Sequence, residues 1–98
     1  MQNRIMGRRR SSIDIFHDIL KLCDNGGMKK TAIMYRANLS YKQLRRYLTV
    51  LTRQEILSRD GAGNYQITAK GKDTLRRIST VIGVLRDLHN ELDSVAEV

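Results

Sequence analysis

The amino-acid sequence predicts a mainly α-helical fold with one β-hairpin and a long C-terminal helix. Three observations support this fold class. The chain has 98 residues, which suits a single small domain. It contains no proline, so nothing interrupts the helical periodicity that most of it carries. A glycine-rich stretch near residue 60 separates two short segments of strand character, which is typical of a hairpin.

Composition narrows the possible classes of function. Lys and Arg number 18 against 10 Asp and Glu, a net charge of +8 that favours an anionic partner. No apolar run approaches the roughly 18 residues of a membrane span, and the basic start lacks the apolar segment of a signal peptide. Cys23 stands alone, and no nucleophile–base pair or ligand-spaced cluster is present. We therefore expect a cytoplasmic protein, not an enzyme, without cofactor or metal.

The positive charge is concentrated in two segments. Residues 1–10 contain four arginines and no acidic residue, and we interpret them as a flexible basic arm. Residues 29–59 contain eight basic residues against Glu55 alone. A charge run is often only a solvated surface, but an excess confined to one segment favours a phosphate-binding surface.

The first helix is predicted to begin at Ser11 or Ser12, either of which can cap it. Asp14 lies in its first turn, where a carboxylate suits the helix dipole. Asn25-Gly26-Gly27 ends the helix, because glycine tolerates the left-handed cap conformation. The residues expected on its apolar face are Ile13, Phe16, Ile19, Leu20 and Cys23.

The second and third helices are separated by the short break Asn38-Leu39-Ser40. The second is expected over about Lys29 to Ala37. The third is expected to start at Ser40, which has Gln43 at the spacing of a capping box, and to reach about Arg53. The inward residues are expected to be Ala32, Ile33 and either Tyr35 or Ala37 in the second helix, and Leu44, Tyr47, Leu48 and Leu51 in the third.

The remaining elements are a hairpin and a last helix. Ile56–Arg59 and Tyr65–Thr68 are the expected strands, joined by five turn residues that include two glycines. From about Thr68 to Val95 nothing breaks a helix that would be roughly 40 Å long. A domain this small cannot cover a helix of that length.

The order helix, helix, short turn, helix, β-hairpin predicts a winged helix-turn-helix domain over residues 11–68. Its recognition helix would span about residues 40–53, in the major groove. Its wing, about residues 59–65, would lie on the DNA backbone or minor groove. The outward face of the third helix is basic and rich in donors, which suits base edges. The predicted DNA-binding residues are Lys29, Lys30, Arg36, Ser40, Tyr41, Lys42, Gln43, Arg45, Arg46, Thr49, Arg53 and Arg59.

An apolar stripe on the last helix predicts a homodimer. The small core cannot cover the whole stripe, and pairing two such helices would remove it from water. Residues 69–98 are therefore interpreted as a coiled-coil dimerisation helix. The predicted dimerisation residues are Ile78, Val81, Ile82, Leu85, Leu88, Leu92 and Val95.

Two segments carry a family resemblance. The run from Lys30 to Tyr41, continued by Tyr47-Leu48, and the segment Tyr65 to Gly71 resemble the archaeal ArnR-like winged helix-turn-helix family. They are also similar to the ten-kilodalton archaeal DNA-binding proteins that dimerise through a C-terminal antiparallel coiled coil. The resemblance spans about residues 11–95 and leaves out the arm at 1–10. It implies a homodimer on double-stranded DNA, in transcription or in chromatin at the nucleoid.

Three functions remain open at this point. The chain could be a sequence-specific transcriptional regulator, an architectural chromatin protein with little sequence preference, or a winged-helix module that binds another protein. The cationic recognition face argues against the protein-binding module. Phosphate contacts serve both DNA-binding functions equally, because most salt-dependent affinity is independent of sequence.

Overall fold

The computed structural model describes residues 3–4, 6–7 and 10–95, with side chains from residue 10 onward. The helices are α1 (Ser12–Cys23), α2 (Lys30–Arg36), α3 (Tyr41–Arg53) and α4 (Ala69–Ser94). The strands are β1 (Asn3–Arg4), β2 (Met6–Gly7), β3 (Met28–Lys29), β4 (Leu57–Arg59) and β5 (Asn64–Ile67). β1 pairs with β2, and a three-stranded antiparallel sheet has the order β3-β5-β4. The predicted fold class is confirmed.

β3 was not expected from the sequence. Met28 pairs with Tyr65, and Lys29 pairs with Asn64, so β3 adds a third strand beside the hairpin. Two residues are too few to show an alternating pattern. As a consequence α2 begins one residue later than predicted, at Lys30, with Lys29 as an N-cap that makes no side-chain capping bond.

The helix starts follow the predicted capping chemistry. The Ser11 hydroxyl accepts a hydrogen bond from the Asp14 backbone N–H, and the Asp14 carboxylate accepts one from the Ser11 N–H. Ser40 and Gln43 form the same reciprocal box at the start of α3. Asn38 has a φ of 55°, a left-handed conformation that ends α2 and turns the chain toward α3.

The core lies between α1, α2, α3, the sheet and the first turns of α4. One expected position needs correction: on α1, Ile15 is buried whereas Ile13 is only half-buried, because the helix presents a slightly rotated face to the core. Of the two alternatives at the end of α2, the cap residue Ala37 is the buried one, and Tyr35 is 80% exposed. Cys23 is buried as expected, and burial raises the pKa of its thiol to about 11.

α4 has 26 residues and extends roughly 39 Å; only its start is fully buried in the head, meaning residues 11–68, and further along it lies beside α1. The Thr68 hydroxyl caps it by accepting from the Gly71 N–H at 2.9 Å. Gly71 and Leu75 are its buried residues. A Cβ on Gly71 would overlap the Ile56 carbonyl oxygen, so this glycine permits a close approach of helix and backbone. No helix in the described part of the chain is long and apolar enough to cross a membrane.

Candidate nucleic-acid interface

α3 divides sharply into a buried face and an exposed face. Leu44, Leu48 and Leu51 are at most 4% exposed and form the inward face. At 100° per residue, the opposite side of the helix is occupied by long polar side chains. We name this surface the cationic face; its residues are Lys42, Arg45, Arg46, Thr49 and Arg53, all exposed.

The positive charge of this region is not neutralised within the protein. Between residues 10 and 95, no carboxylate oxygen lies within 4.0 Å of the basic groups that the sequence assigned to DNA binding. By contrast, Arg76 and Arg77 both bind Asp73 at 2.8 Å. An uncompensated cationic surface attracts a polyanion over a longer range than paired charges do. The unpaired basic groups are Lys29, Lys30, Arg36, Lys42, Arg45, Arg46, Arg53 and Arg59.

Two of the predicted contact residues already have structural roles at the start of α3. The Ser40 hydroxyl accepts from the Gln43 N–H at 3.1 Å, and the Gln43 Oε1 accepts from the Ser40 N–H at 3.1 Å. A bidentate pairing of glutamine with adenine needs both the amide oxygen and the amide nitrogen. The cap occupies the oxygen, so Gln43 is left with its amide nitrogen to donate outward.

Two exposed residues beside the cationic face, Val50 and Tyr41, present mainly apolar surface. Val50 is 44% exposed and lies beside Arg46, near Phe16 of α1. Sequence reasoning missed it, because an isolated apolar residue on a polar face carries no periodic signal. Tyr41, which is 54% exposed, has the ammonium of Lys30 5.2 Å from its ring centroid. This cation–π contact orients Lys30 at the start of α3.

The wing is held in shape by Asp60. Its Oδ1 accepts from the backbone N–H groups of Ala62 and Asn64, both at 2.9 Å, and its Oδ2 accepts from the Gln66 amide at 3.0 Å. These hydrogen bonds, above all the one from Asn64, lower the pKa of the Asp60 carboxyl. The acidic residue at the wing tip therefore serves the turn.

Two basic side chains accompany the wing. The guanidinium of Arg59 lies 5.7 Å from the ring centroid of Tyr65, which is itself 7% exposed and packs into the core. The Lys29 ammonium donates to the Ala62 carbonyl at 3.4 Å, across from β3 to the wing tip. Arg36 lies at the other end of α2 and is exposed.

Crevices line both edges of α3. On one edge, Arg45 and Thr49 face Lys30 and Tyr65 across a shallow crevice beside the sheet. The Thr49 hydroxyl there donates to the Arg45 carbonyl at 2.7 Å. On the other edge, the N-terminus of α1 lies alongside: the Tyr47 hydroxyl donates to the Ser12 hydroxyl at 3.1 Å. α3 is thus supported on two sides, with the cationic face left open.

The predicted dimerisation stripe is divided by the structure between two sides of α4. Ile78 and Ile82 are half-buried, and Ile78 packs against the core of the head. The other members are 44% to 68% exposed, and Val84, which the sequence analysis missed, is 53% exposed beside them. We name this surface the open apolar face; its residues are Val81, Val84, Leu85, Leu88, Leu92 and Val95.

A capped third helix with an open cationic face, preceded by a tight turn and flanked by a hairpin, is the architecture of DNA-binding winged-helix domains. The comparison with known families agrees. The chain belongs to the winged helix-turn-helix family, whose model matches residues 9–86.

The proteins that this chain resembles in sequence or structure include archaeal ones. An uncharacterized protein of Methanocaldococcus jannaschii is 39% identical over 77 residues, which are 79% of this chain and 36% of that protein. The chain thus spans about a third of the length of this curated relative. Sso10a-2, a DNA-binding protein from Sulfolobus solfataricus, superposes with a TM-score of 0.77 at 26% identity, over 86% of this chain and 90% of that one.

A second solved structure shares the fold. The transcriptional regulator BldR from Sulfolobus solfataricus has a TM-score of 0.67 at 22% identity, over 86% of this chain and 63% of that one. The predicted resemblance to archaeal winged helix-turn-helix proteins is confirmed.

Proposed function

We propose that this chain is a transcriptional regulator that binds double-stranded DNA through its head, with α3 in the major groove. The observation that carries the proposal is the cationic face, which is exposed, lies opposite three buried leucines and has no carboxylate partner in residues 10–95. The similarity to Sso10a-2, a DNA-binding protein of nearly matching length, supports it. Such a protein would work in the cytoplasm, on the DNA of the nucleoid.

In this proposal, the groups of the cationic face have distinct roles. The major groove admits an α-helix, and arginine or lysine can donate to the O6 and N7 atoms of guanine. Arg46 and Arg53 lie near the centre of the face and are suited to base edges. Val50, beside Arg46, offers an apolar surface that suits a thymine methyl group. Arg45 lies toward the sheet, where a phosphate strand would pass.

The wing supplies contacts outside the major groove. Arg59 and Lys29 lie at its base and beside its tip, and both are exposed. Their charges suit phosphate oxygens, which fix the register of a protein on DNA without reading its sequence. Because Asp60 is engaged by donors within the turn, it adds little repulsion toward an approaching phosphate strand.

The same proposal includes a homodimer formed through residues 69–98, while residues 11–68 bind DNA. The open apolar face would otherwise leave six aliphatic side chains in water. Each large one that becomes buried contributes roughly 1.5–3 kcal/mol. A second copy provides a matching apolar face of the same length. The antiparallel orientation of the two helices is implied by the family resemblance.

DNA binding is tested by fluorescence anisotropy on labelled duplexes over a series of salt concentrations. If about half of the eight unpaired basic groups reach phosphate, a dimer should show a log–log slope of several units. An affinity that stays flat from low to moderate salt would contradict the proposal. Competition with random duplex then distinguishes the two DNA-binding functions. A strong preference for selected sites supports a regulator. If random duplex displaces the labelled duplex as well as selected sites do, the chain is an architectural protein.

Dimerisation is tested by sedimentation equilibrium at micromolar concentration. We expect the unmodified chain to be a dimer and Leu85→Glu to be a monomer. Ser79→Glu, which adds the same charge to an exposed position on the opposite side of α4, should remain dimeric. A well-folded monomer for the unmodified chain would rule out this part of the proposal.

A further inference from the structure

A groove lies between the start of α1 and the second half of α4. α1 packs along α4, and the groove, with a volume of about 590 Å³, opens beside the first turn of α1. Its apolar lining comes from Ile13 on α1 and from Ile82 and Leu85 on α4. Ile13 and Ile82 are only half-buried, so each keeps apolar surface that its own chain does not cover.

The groove adjoins the open apolar face of α4. Leu85, which is 44% exposed, belongs to both surfaces. At 100° per residue, His89 and Ile82 of the groove lie about 40° and 60° to one side of Leu85. Leu88 and Val81 of the open apolar face lie on its other side, by about 60° and 40°. A partner that covers the open apolar face therefore passes directly beside the groove.

The spacing of the apolar stripe on α4 is the same in both chain directions. Its steps alternate between three and four residues, the pattern of a two-helix coiled coil. When two such helices pair antiparallel, every member of the stripe can lie opposite another member. The opposite residues are Ile78 and Val95, Val81 and Leu92, and Leu85 and Leu88. The middle of the pair then lies between residues 86 and 87.

The charges of α4 favour this antiparallel direction. Residues 69–81 carry four basic residues against Asp73, and residues 82–95 carry three acidic residues against Arg86. Antiparallel pairing places the basic half of one helix beside the acidic half of the other, whereas parallel pairing would bring like charges together. A second copy thus matches α4 in its apolar spacing and in its charge.

Antiparallel pairing also brings the grooves of the two copies together. In a two-fold symmetric pair both copies use the same surface patch, so the groove sides of the two α4 helices face the same way. Each groove extends along residues 82–93, which includes the middle of the pair. In this alignment His89 of the second copy lies level with residue 84 of the first, between Ile82 and Leu85. Ile13 of the first copy lines the groove at that level.

We propose that the start of α1 is part of the dimer interface, with Ile13 of each chain covered by the other chain's α4 around His89. The inference rests on the proposed function, since it requires dimerisation through α4, and it extends the interface from the long helix to the head. The sequence places Ile13 on the apolar face of α1, and a second chain completes the burial that the first leaves unfinished. The interface thereby fixes each head relative to the long helix of the other chain.

Sedimentation equilibrium tests the contribution of Ile13. Ile13→Glu places a charge in the groove and should raise the dimer dissociation constant by roughly tenfold or more, because each dimer contains two such sites. Asn25→Glu adds the same charge at an exposed position beyond the other end of α1, and should leave the dissociation constant unchanged. Thermal melting verifies that both variants are folded. An unchanged dissociation constant for a folded Ile13→Glu would overturn the inference.

Cross-linking tests the same contact without introducing a charge. Ile13→Cys and His89→Cys are prepared as separate variants, mixed to exchange subunits and treated with mild oxidant; the native Cys23 is buried. We expect a covalent heterodimer whose disulfide joins positions 13 and 89, identified by mass spectrometry. A mixture of Asn25→Cys and His89→Cys should give no such linkage. Equal yields from the two mixtures, or no linkage from the first, would refute the contact.

The outcomes separate this inference from the proposed function. If the unmodified chain is a monomer at micromolar concentration, the proposed dimer itself is wrong and the role of α1 falls with it. If Leu85→Glu dissociates the dimer while Ile13→Glu does not, and no linkage between positions 13 and 89 forms, the dimer stands and only the part assigned to α1 is refuted.

Discussion

The two longest helices, α3 and α4, differ in how much of their apolar face is covered by the head. α3 has 13 residues, and the head buries its three leucines, with Leu44 fully buried and Tyr47 half-buried. α4 has 26 residues, and beyond Leu75 its described residues are at best half-buried. The polar face of α3 is cationic and unpaired, whereas that of α4 carries charges of both signs.

The two helices therefore differ in whether their large apolar side chains are already covered by the head. The exposed side of α3 is mainly cationic, with Val50 as its exposed aliphatic residue, so this side is available for an anionic ligand. α4 still has an apolar face to cover, and its mixed charges offer no clear preference for a polyanion. The two helices are therefore suited to different partners, and the comparison can be tested residue by residue.

The largest expected difference concerns leucines. Leu44→Ala in α3 removes a side chain with no solvent exposure and should lower the free energy of unfolding by about 2–5 kcal/mol. Leu88→Ala in α4 removes one that is 60% exposed, and should cost about 0.5 kcal/mol or less in a dilute monomer. Urea unfolding at several protein concentrations measures both. If the chain dimerises as proposed, the loss of stability caused by Leu88→Ala rises with protein concentration. Equal losses for the two variants at every concentration would contradict the proposed difference between the helices.

Two glycines locate the point where α4 leaves the head. Gly71→Ala forces a methyl group into the Ile56 carbonyl and toward Ile67, and should destabilise the protein by about 1–3 kcal/mol. Gly83→Ala meets nothing within 4 Å and should stabilise the helix by about 0.5–1 kcal/mol. Thermal melting compares them. A loss at Gly83 would mean that another backbone passes close to α4 at that level.

Two arginines compare the helices as DNA-binding surfaces. Arg46→Ala removes a cation near the centre of the cationic face, and should weaken binding by about 1–3 kcal/mol if Arg46 reads a base. Arg86→Ala removes an equal charge from α4 and should change the affinity little. Anisotropy titrations at one salt concentration are sufficient. Equal losses would show that the recognition surface has been misplaced.

The smallest expected effects concern two carboxylates with lowered pKa values. Asp60 is held by backbone and amide donors of the wing, and Asp73 by the guanidinium groups of Arg76 and Arg77. Because each folded pKa lies below the unfolded one, each contributes stability above the unfolded value, near 3.8, and loses it as the pH falls through the folded value.

Salt distinguishes these two carboxylates. In 0.5 M salt we expect the pKa of Asp73 to return toward its usual value, since exposed ion pairs are screened. The pKa of Asp60 should stay low, because its shift comes from neutral hydrogen-bond donors. Carboxyl titrations followed by NMR at low and high salt measure this. Identical salt responses would contradict the assigned causes.

Local signals in the sequence were sufficient for most of the head. Ser40 and Gln43 stand at capping-box spacing, and the glycine-rich turn and the leucine stripe are short-range patterns that the fold confirms. The side of α3 left open to solvent also followed from helical periodicity. Such features depend on residues within about four positions of one another, which is why they can be read without a structure.

Features that depend on distant pairs could not be read in this way. β3 exists because Met28 meets Tyr65, and Gly71 matters because Ile56 passes beside it. In the sequence Arg10 belongs to a run of arginines, and its hydrogen-bond acceptor, the Asn38 carbonyl, lies 28 residues further along the chain. Nor could composition show that Ile78 and Leu85 of one apolar stripe have different surroundings, since that depends on which side of α4 the head covers.

The start of α4 has a mechanical consequence. The Thr68 hydroxyl donates to the Glu55 carbonyl at 2.6 Å, and the Lys70 ammonium donates to the Gln54 carbonyl at 2.7 Å. Gln54 and Glu55 directly follow α3, so these two hydrogen bonds join the end of α3 to the start of α4. A tilt of about 5° at this joint would displace the far end of a helix roughly 39 Å long by about 3 Å. Through these hydrogen bonds the orientation of α4 is coupled to the orientation of the cationic face.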